Sequence, residues 1–595
     1  MKRLTIVVMC FLLSLGPIFA TETYDNKQKI YRVDNEYYEA LSYLYIIQGH
    51  AQPSTTGPWS ADELSKMLAK LNRASLPEDA KAVYDFVADE LAYVPPNMQN
   101  AVGVKFGFEA NLETYTHTNT GLEFQEWENW GYGLLHHRPM LVGKFETWPI
   151  NYFYGYFELS IGNSLKPLAS TIGATHFNTN ILGFENPPTF DISELSMNFP
   201  HRAFVAAGGS RWSLQLGRDR LSWGPGVSGN FVIGDNLIYH NMARFTTYGK
   251  NFKYTFVASF FPHKMNYYSY TSPTGNDPGY WTYVGHGDQY VTVKGLQMFM
   301  GHRLEGRFFN DKLNFALTEG LIYASEEGVL DLQVFNPAML WHNYYINMNA
   351  NSILSFELDY TPIKYLNIYA QWVIDEFAIP GEARPTETVP AFPTAMGYML
   401  GVKSSYPLSN GILYGSLEGA YTDPYLYLRG DGYNNETDKN YGINFVVAVR
   451  NHSQTDNVTY DEQFLGYRYG GDAIVGNLNG GYKNFGKWYV EGNLFYMAHG
   501  THDMWTCWKS VISTENMSAP TDTHYPDNHK ATRSELDERT KVSHTFIAGV
   551  NGGYAILKGF DVFAQVDFIN IWNYGNVDGV FKNDIQITLG LHYSI

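Results

Sequence analysis

Cysteine is almost absent from this chain: of its 595 residues only Cys10 and Cys507 carry a thiol. The first falls in the opening stretch MKRLTIVVMCFLLSLGPIFATE, where Lys2 and Arg3 precede an apolar run from Leu4 to Leu15, then Pro17 and the small Ala20. That pattern predicts a secretory signal peptide over residues 1–20, cleaved after Ala20, too short and wrongly flanked to span a membrane. Cys10 follows Val7, Val8 and Met9, unlike the sequence before a lipidated cysteine. Cleavage would leave Cys507 alone, so an intramolecular disulfide is excluded and an exported chain of this size must be held together by other means.

Positive charge is also scarce, with 41 Lys and Arg against 59 Asp and Glu, for a net charge of −18. Loss of Lys2 and Arg3 makes the balance more acidic still, which excludes nucleic acid as a partner. No apolar run after the leader approaches the roughly 18 residues of a spanning helix. No nucleophile elbow and no His-Glu-x-x-His zinc motif occurs, so an enzyme is not expected. His499 and His502 supply only two nitrogen ligands, and the Asp431–Asp438 stretch DGYNNETD lacks the spacing of a calcium loop. Neither is a complete ligand set, so no metal and no cofactor is expected. Asn435-Glu-Thr matches a glycosylation triplet of the kind that arises by chance.

What is abundant is aromatic and glycine: 46 Tyr, 37 Phe, 13 Trp and 55 Gly. With a mean hydropathy of −0.27, an exported chain of this composition suggests an all-β transmembrane barrel, whose strands are apolar only at alternate positions. A secreted sandwich or propeller shares the composition, and the C-terminus FKNDIQITLGLHYSI separates them. Ile585, Ile587, Leu589, Leu591, Tyr593 and Ile595 share one face, Gln586, Thr588, Gly590, His592 and Ser594 the other. An alternating strand that ends the chain resembles the closing strand that outer-membrane barrels present to their assembly machinery, with lipid on its apolar face.

Residues 21–95 read differently. DNEYYEALSYLYIIQGH has helical spacing, SADELSKMLAKLN opens with Ser60 and Glu63 in capping-box relation, and SLPEDAKAVYDFVADEL repeats that relation with Ser75 and Glu78. Three short helices are expected, too small to fold alone and placed at the periplasmic mouth of the barrel. The barrel is assigned to residues 96–595. In VGVKFGFEANL, Val102, Val104, Phe106, Phe108 and Ala110 face out against Lys105, Glu109 and Asn111. The same alternation puts Ser355, Glu357 and Asp359 inside, then Tyr365, Asn367, Tyr369, Gln371 and Asp375, then Ser416 and Glu418, Tyr489, Glu491 and Asn493, and Gln565 and Asp567. At about 9 to 11 residues per span, this length allows about 16 to 18 strands. Short turns at Gly208-Gly209, Gly249-Lys250-Asn251 and Asn310-Asp311 suit the periplasmic side. Polar stretches near 163–190, 262–290, 376–397, 423–462 and 498–543 are the candidate extracellular loops.

One segment breaks the pattern. In RWSLQLGRDRLSWGPGVSGN, Trp212, Leu214 and Leu216 face lipid, and simple continuation would put Arg218 and Arg220 on that face too. An arginine there costs on the order of 2 to 4 kcal/mol at the midplane. Either Gly217 carries a bulge that turns both arginines into the lumen, or the strand leaves the hydrocarbon zone. The glycine- and proline-rich WGPGVSGN is then an inward-folding loop, since irregular backbone at membrane depth must face protein or water.

GRDRLSWGPGVSGNFVIGDN resembles the signature of the Wzi-type capsule-assembly outer-membrane proteins. HRLEGRFFNDKLNFALTEGLIY, FNPAMLWHNYYINMNANSILSFELDY, NIYAQWVIDEF, FLGYRYGGDAIVG and the helical WSADELSKML are similar to that family as well. The resemblance covers nearly the whole mature chain. It implies an 18-stranded barrel, occluded by loops and a small helical bundle, that acts as a lectin tethering capsular polysaccharide to the cell surface.

The candidate polysaccharide-binding or loop-locking residues are Arg218, Arg220, Trp223, Asp235, Asn236, Arg303, Arg307, Tyr365, Tyr369 and Asp375. Planar hydrogen-bonding groups and aromatic faces suit sugars. Arg218 and Arg220, with Glu357, Asp359 and Glu418 as counter-ions, equally suit an internal lock for an occluding loop. Arg303, Glu305 and Arg307 share a lumenal face, whereas Glu319 carries the lipid-facing parity of Leu317 and Leu321 and calls for a bulge or a place near the rim. The rival function is an outer-membrane porin or substrate-specific channel, favouring cations or neutral solutes through an acidic lumen. The expected partners are capsular polysaccharide or another surface glycan and outer-membrane lipid. A closed barrel needs no oligomer, so a monomer is expected.

Overall fold

The computed structural model describes residues 26–95, 97–98, 102–119, 138–139, 141–161, 183–185, 197–198, 202–263, 268–271, 280–283, 295–325, 328–332, 334–338, 350–377, 393–428, 443–452, 458–504, 506–509, 521–524 and 538–595. The proposed signal peptide and most of the long polar stretches lie outside them.

Eighteen antiparallel strands close into a barrel. In chain order they are β1 (Val102–His117), β2 (Leu141–Trp148), β3 (Phe153–Ile161), β4 (Ala203–Gly209), β5 (Trp212–Asp219), β6 (His240–Tyr248), β7 (Phe252–Phe261), β8 (Leu296–Phe308) and β9 (Leu313–Ser325). The wall continues with β10 (Ala350–Ile363), β11 (Leu366–Glu376), β12 (Ala395–Leu408), β13 (Gly411–Thr422), β14 (Ala473–Asn484), β15 (Trp488–His499), β16 (Ser543–Leu557), β17 (Phe560–Trp572) and β18 (Phe581–Ser594). Each strand pairs with the next, and β18 returns to β1 with Leu591 opposite Leu112. Closure leaves no edge to satisfy. The alternation read from the sequence is the observed one: Phe106, Leu358, Leu400, Leu417 and Leu589 are exposed on the outer face, while Glu357, Asp359, Glu418, Asn493, Gln565 and Asp567 are buried inside.

Three helices, α1 (Glu36–Gln48), α2 (Ala61–Ala69) and α3 (Glu78–Leu91), sit at one end. Leu41, Leu44, Leu64 and Val83 form their shared core, joined by Ile412 and Phe485 from turns of the wall. Burial against the wall supplies what three short helices cannot supply alone. Ser60 caps α2, its hydroxyl accepting from the Glu63 amide at 3.3 Å. Ser75 does not cap α3. Its hydroxyl donates to the Asn72 carbonyl at 2.9 Å, and the helix starts behind Pro77, whose fixed φ sets the entry.

The expected bulge at Gly217 is absent. Gly217 pairs with Phe204 and Met242 in an unbroken ladder, and Arg218 keeps the outward parity, opposite Ala203 and Asn241. A Cβ at Gly217 would sit 2.4 Å from the Ala203 carbonyl, and its φ is +134°, so glycine permits a close approach that any other residue would spoil. Arg218 is tolerated because the strand ends one residue later and its guanidinium lies 4.1 Å over the Tyr239 ring. Its Nε donates to Asn241 Oδ1 at 2.9 Å.

Glu319 also corrects an expectation. It is neither bulged nor at the rim, but stands in register opposite His302 and is buried on the outer face. There residues 328–332 and 334–338 lie against the outside of the wall, with Leu330, Val334 and Phe335 packed on Phe256, Met298, Met300, Leu321 and Tyr323. Tyr254 sits beneath it, its hydroxyl 2.7 Å from His302 Nδ1 and donating to the Pro337 carbonyl.

Candidate functional site

Among the described residues the lumen holds inserted chain as well as the side chains of the wall. After β5 the chain turns inward, and Leu221, Trp223, Phe231, Ile233 and Leu237 pack with Tyr427, Phe445, Leu465 and Tyr467 into one apolar core inside the wall. Glycine shapes the entry: Gly224 has φ +134°, and a Cβ there would meet Asn230 Oδ1 and Gln371 Nε2 at 2.2 Å. The coil turns back on itself through the Trp223 amide, which donates to the Ile233 carbonyl at 3.1 Å.

Side chains of the wall satisfy the backbone of this loop, as buried peptide groups require. Glu418 accepts from the amides of Val227 at 2.7 Å and Ser228 at 2.8 Å, and from the Tyr369 hydroxyl at 2.6 Å. Gln371 accepts from the Phe231 amide at 3.2 Å and donates to Asn230 Oδ1 at 2.6 Å. From the facing loops, Tyr427 donates its hydroxyl to the Phe231 carbonyl at 2.5 Å, and the Gly234 amide reaches the Leu465 carbonyl at 2.9 Å.

A second insert rises from the helical end. Residues 51–58 thread into the barrel, and Thr56–Gly57 pairs with Ser222–Trp223 of the inward loop. Asp359 accepts the Gln52 amide at 2.8 Å and its Nε2 at 2.6 Å. Arg307 donates to the carbonyls of Gln52 at 2.6 Å and Ala51 at 2.7 Å. Arg244 donates to the Pro58 carbonyl at 2.7 Å, and Lys253 to the Thr56 carbonyl at 2.9 Å and to Glu63 at 2.5 Å. Lys403 bridges both inserts, reaching Gln52 Oε1 at 3.0 Å and the Pro225 carbonyl at 2.6 Å.

The ten sequence candidates therefore occupy different places. Arg303 is buried between Glu305 at 3.1 Å and the Glu357 carboxylate, and donates to Thr55 Oγ1 at 3.1 Å. Arg307 pairs with Asp311 at 2.7 Å. Tyr369 and Trp223 are fully buried, and Asp375 accepts from the Tyr427 amide at 2.8 Å. Arg220 turns inward as expected, donating to the Asp235 carbonyl and lying 3.5 Å from Asp34. Asp235 pairs with Arg468 at 2.6 Å, and Asn236 donates to the Phe464 carbonyl at 2.7 Å. Burial alone would raise the Asp235 carboxyl, but Arg468 and Arg220 outweigh it and hold it below the ordinary value.

Two candidates leave the lumen. Arg218 is on the outer face, and Tyr365 belongs to the β10–β11 turn at the helical end, with φ +72° and its amide donating to the Ile46 carbonyl of α1 at 2.9 Å. The turn takes Tyr365 out of the strand alternation, and with it the lumenal placement. The counter-ions also differ from expectation. Glu357 serves Arg303, Asp359 holds Gln52, and Glu418 holds backbone, while Arg220 uses Asp34 and Asp235. His499 and His502 are engaged singly, His499 Nε2 at 3.0 Å from the Tyr469 carbonyl and His502 Nδ1 at 2.8 Å from Asp472. Sequence reasoning missed Lys403, Arg244, Lys253 and the buried pair Arg202–Asp219 at 2.7 Å. Their signal was present, since each stands on the polar parity of its strand or beside it.

Among the described residues, then, the geometry brings together two inserts, a lattice of buried ionic and amide contacts, and a partly open charged corner of Arg220, Asp235 and Arg468. No family model and no curated protein matches the chain. Among solved structures it is similar to Wzi of Escherichia coli, described as an outer-membrane carbohydrate-binding β-barrel involved in group 1 capsule assembly, with TM-score 0.56 and 11% identity over 95% of this chain and 98% of that one. The outer-membrane protein OpdK of Pseudomonas aeruginosa gives TM-score 0.36 at 10% identity over 83% of this chain and 98% of its own. The outer-membrane channel DcaP of Acinetobacter baumannii gives 0.32 at 10% over 84% and 100%. The fold shared with Wzi is that of an outer-membrane β-barrel.

Proposed function

We propose that this protein is a non-catalytic outer-membrane barrel that binds capsular polysaccharide or another surface glycan and retains it at the cell surface. The observation that carries the reading is the inserted chain in the lumen of a Wzi-like fold, two inserts held by Glu418, Gln371, Asp359 and Lys403, an arrangement that suits a binding body better than a conduit. In this reading Arg303, Arg307, Tyr369, Trp223 and Asp375 lock the inserts. Sugar meets the accessible side chains, with Arg220, Asp235, Asn236 and Arg468 as the polar corner and the outer loops beyond. Many weak contacts along one polymer retain it by avidity.

The test pairs binding with conductance. Mature protein refolded into planar bilayers should be electrically silent, and should retain surface polysaccharide extracted from the producing cells on a sensor chip. Cells lacking the protein should shed that polysaccharide into the medium. Steady conductance without polymer retention would replace this reading with a channel.

A further inference from the structure

The chain is acidic, yet its turns at the helix-bearing end are not. Arg211, Lys250, Lys312, Lys364, Lys487 and Lys558 occupy six short turns, between β4 and β5, β6 and β7, β8 and β9, β10 and β11, β14 and β15, and β16 and β17. All six are exposed, and none forms a side-chain ion pair among the described residues. Asp311, the acid on these turns, is already taken by Lys70 at 2.6 Å and Arg307 at 2.7 Å. At the opposite strand ends the described connections carry Asp423, Asp472, Asp503 and Asp578, and there Arg539 and Lys541 are paired, with Asp503 at 3.0 Å and Asp578 at 3.8 Å.

Each cation also has an exposed apolar residue within three positions of it, on the outer wall or in the turn itself. Trp212 adjoins Arg211, Phe252 follows Lys250, Phe309 precedes Lys312, Ile363 precedes Lys364, Trp488 follows Lys487 and Leu557 precedes Lys558. An apolar or aromatic side chain with a cation just beyond it is how a protein meets the boundary between hydrocarbon and headgroups. Unpaired cations at that depth favour anionic headgroups, each by on the order of 1 kcal/mol, or about fivefold.

We propose that these six residues form a basic ring that binds anionic phospholipid headgroups of the periplasmic leaflet, gathering an acidic lipid shell around the helix-bearing mouth. The proposal requires only that the barrel sits in a bilayer, so it stands or falls apart from glycan binding. The ring would fix the depth of the barrel and offset the repulsion between an acidic protein and an acidic leaflet.

Mature protein reconstituted in equimolar phosphatidylethanolamine and phosphatidylglycerol, then extracted in mild detergent, tests it by native mass spectrometry of the retained lipid. Phosphatidylglycerol should be enriched about fivefold at low ionic strength, and the preference should fade as salt screens it. The R211Q/K250Q/K312Q/K364Q/K487Q/K558Q variant should retain both lipids equally, and its folding is checked by heat-modifiable gel mobility. Should six changes prevent folding, K250Q/K487Q/K558Q should halve the bias or more. Equal retention by the wild type overturns the proposal. So does a wild type that shows no lipid bias but binds dextran sulfate through these residues, because the ring would then serve a soluble polyanion.

Discussion

The carboxylate of Glu418 accepts the amide of Ser228 at 2.8 Å across 190 residues of sequence. The same carboxylate holds the Val227 amide at 2.7 Å, the Tyr369 hydroxyl at 2.6 Å and the Ser228 hydroxyl, so four donors converge on one wall residue. Glu418→Ala would leave both amides and the Tyr369 hydroxyl without an acceptor, at about 1 to 3 kcal/mol each. The inward loop should then detach part of the time. Bilayers containing this variant should show intermittent conductance steps that the wild type lacks; a silent Glu418→Ala would mean the loop is held elsewhere.

How much of this was legible in the sequence follows from where each residue finds its partner. Strand parity is local, so Phe106, Glu357, Glu418 and the closing strand at Ile585–Ile595 could be placed from their neighbours alone. The partner of a lumenal charge is not local. Glu418 meets Ser228 and Asp359 meets Gln52 only because two distant segments enter the barrel, and no spacing in the chain encodes that. Glu319 was misread for the same reason: its parity was correct, and what shelters that face is a segment whose packing outside the wall alternation cannot show. Of the two readings of Arg218, the bulge at Gly217 fails, because the glycine instead permits a close strand approach and the strand ends just beyond it.

Arg303 supports a sharper test of the lock. It is buried between Glu305 and Glu357, and removing one partner of such a cluster strands the others. Arg303→Ala should cost about 3 to 5 kcal/mol. Replacing the arginine and one acid together, as Arg303→Met with Glu357→Leu, should cost several-fold less, because fewer charges are left unpaired. Guanidinium unfolding followed by tryptophan fluorescence gives both numbers. A double variant as unstable as Arg303→Ala would show that packing, and not charge, sets the penalty.

Acid should loosen the helical bundle from the barrel. Burial raises the Asp311 carboxyl, but hydrogen bonds and charge from Lys70 and Arg307 more than reverse this, so it lies below its ordinary value. Burial, with Arg307 and Lys250 nearby, holds the Lys70 ammonium below its own ordinary value, so the stabilising share rests with the carboxylate. A group depressed in this way contributes fully above the unfolded carboxylate value of about 4 and loses its contribution as pH falls through the folded value. Hydrogen exchange in α2 should therefore rise below about pH 4, and Asp311→Asn should show the fast exchange already at neutral pH. With exchange expressed as protection relative to the intrinsic rate at each pH, protection of α2 that does not change across this range in the wild type would remove Asp311 from the docking.

The last hairpin of the wall, beside the seam that closes the barrel, can be tested through Gly590 and Phe563, which face each other between β17 and β18. The Phe563 ring lies across Gly590, where an added Cβ would sit 2.1 Å from the ring. An aromatic covering a cross-strand glycine satisfies two needs at once: the glycine loses its exposed backbone, and the ring gains a flat surface inside a crowded lumen. Gly590→Ala should therefore force Phe563 off its rotamer at a cost of about 1 to 3 kcal/mol. Phe563→Leu alone should also destabilise, by removing buried ring contacts. Combined, the two should cost less than their sum, since the shorter side chain makes room for the new methyl. Equilibrium unfolding of the four proteins in the cycle yields this coupling directly. Strict additivity would mean that the ring moves aside freely, and that the hairpin is held by the backbone ladder of β17 and β18 rather than by the ring.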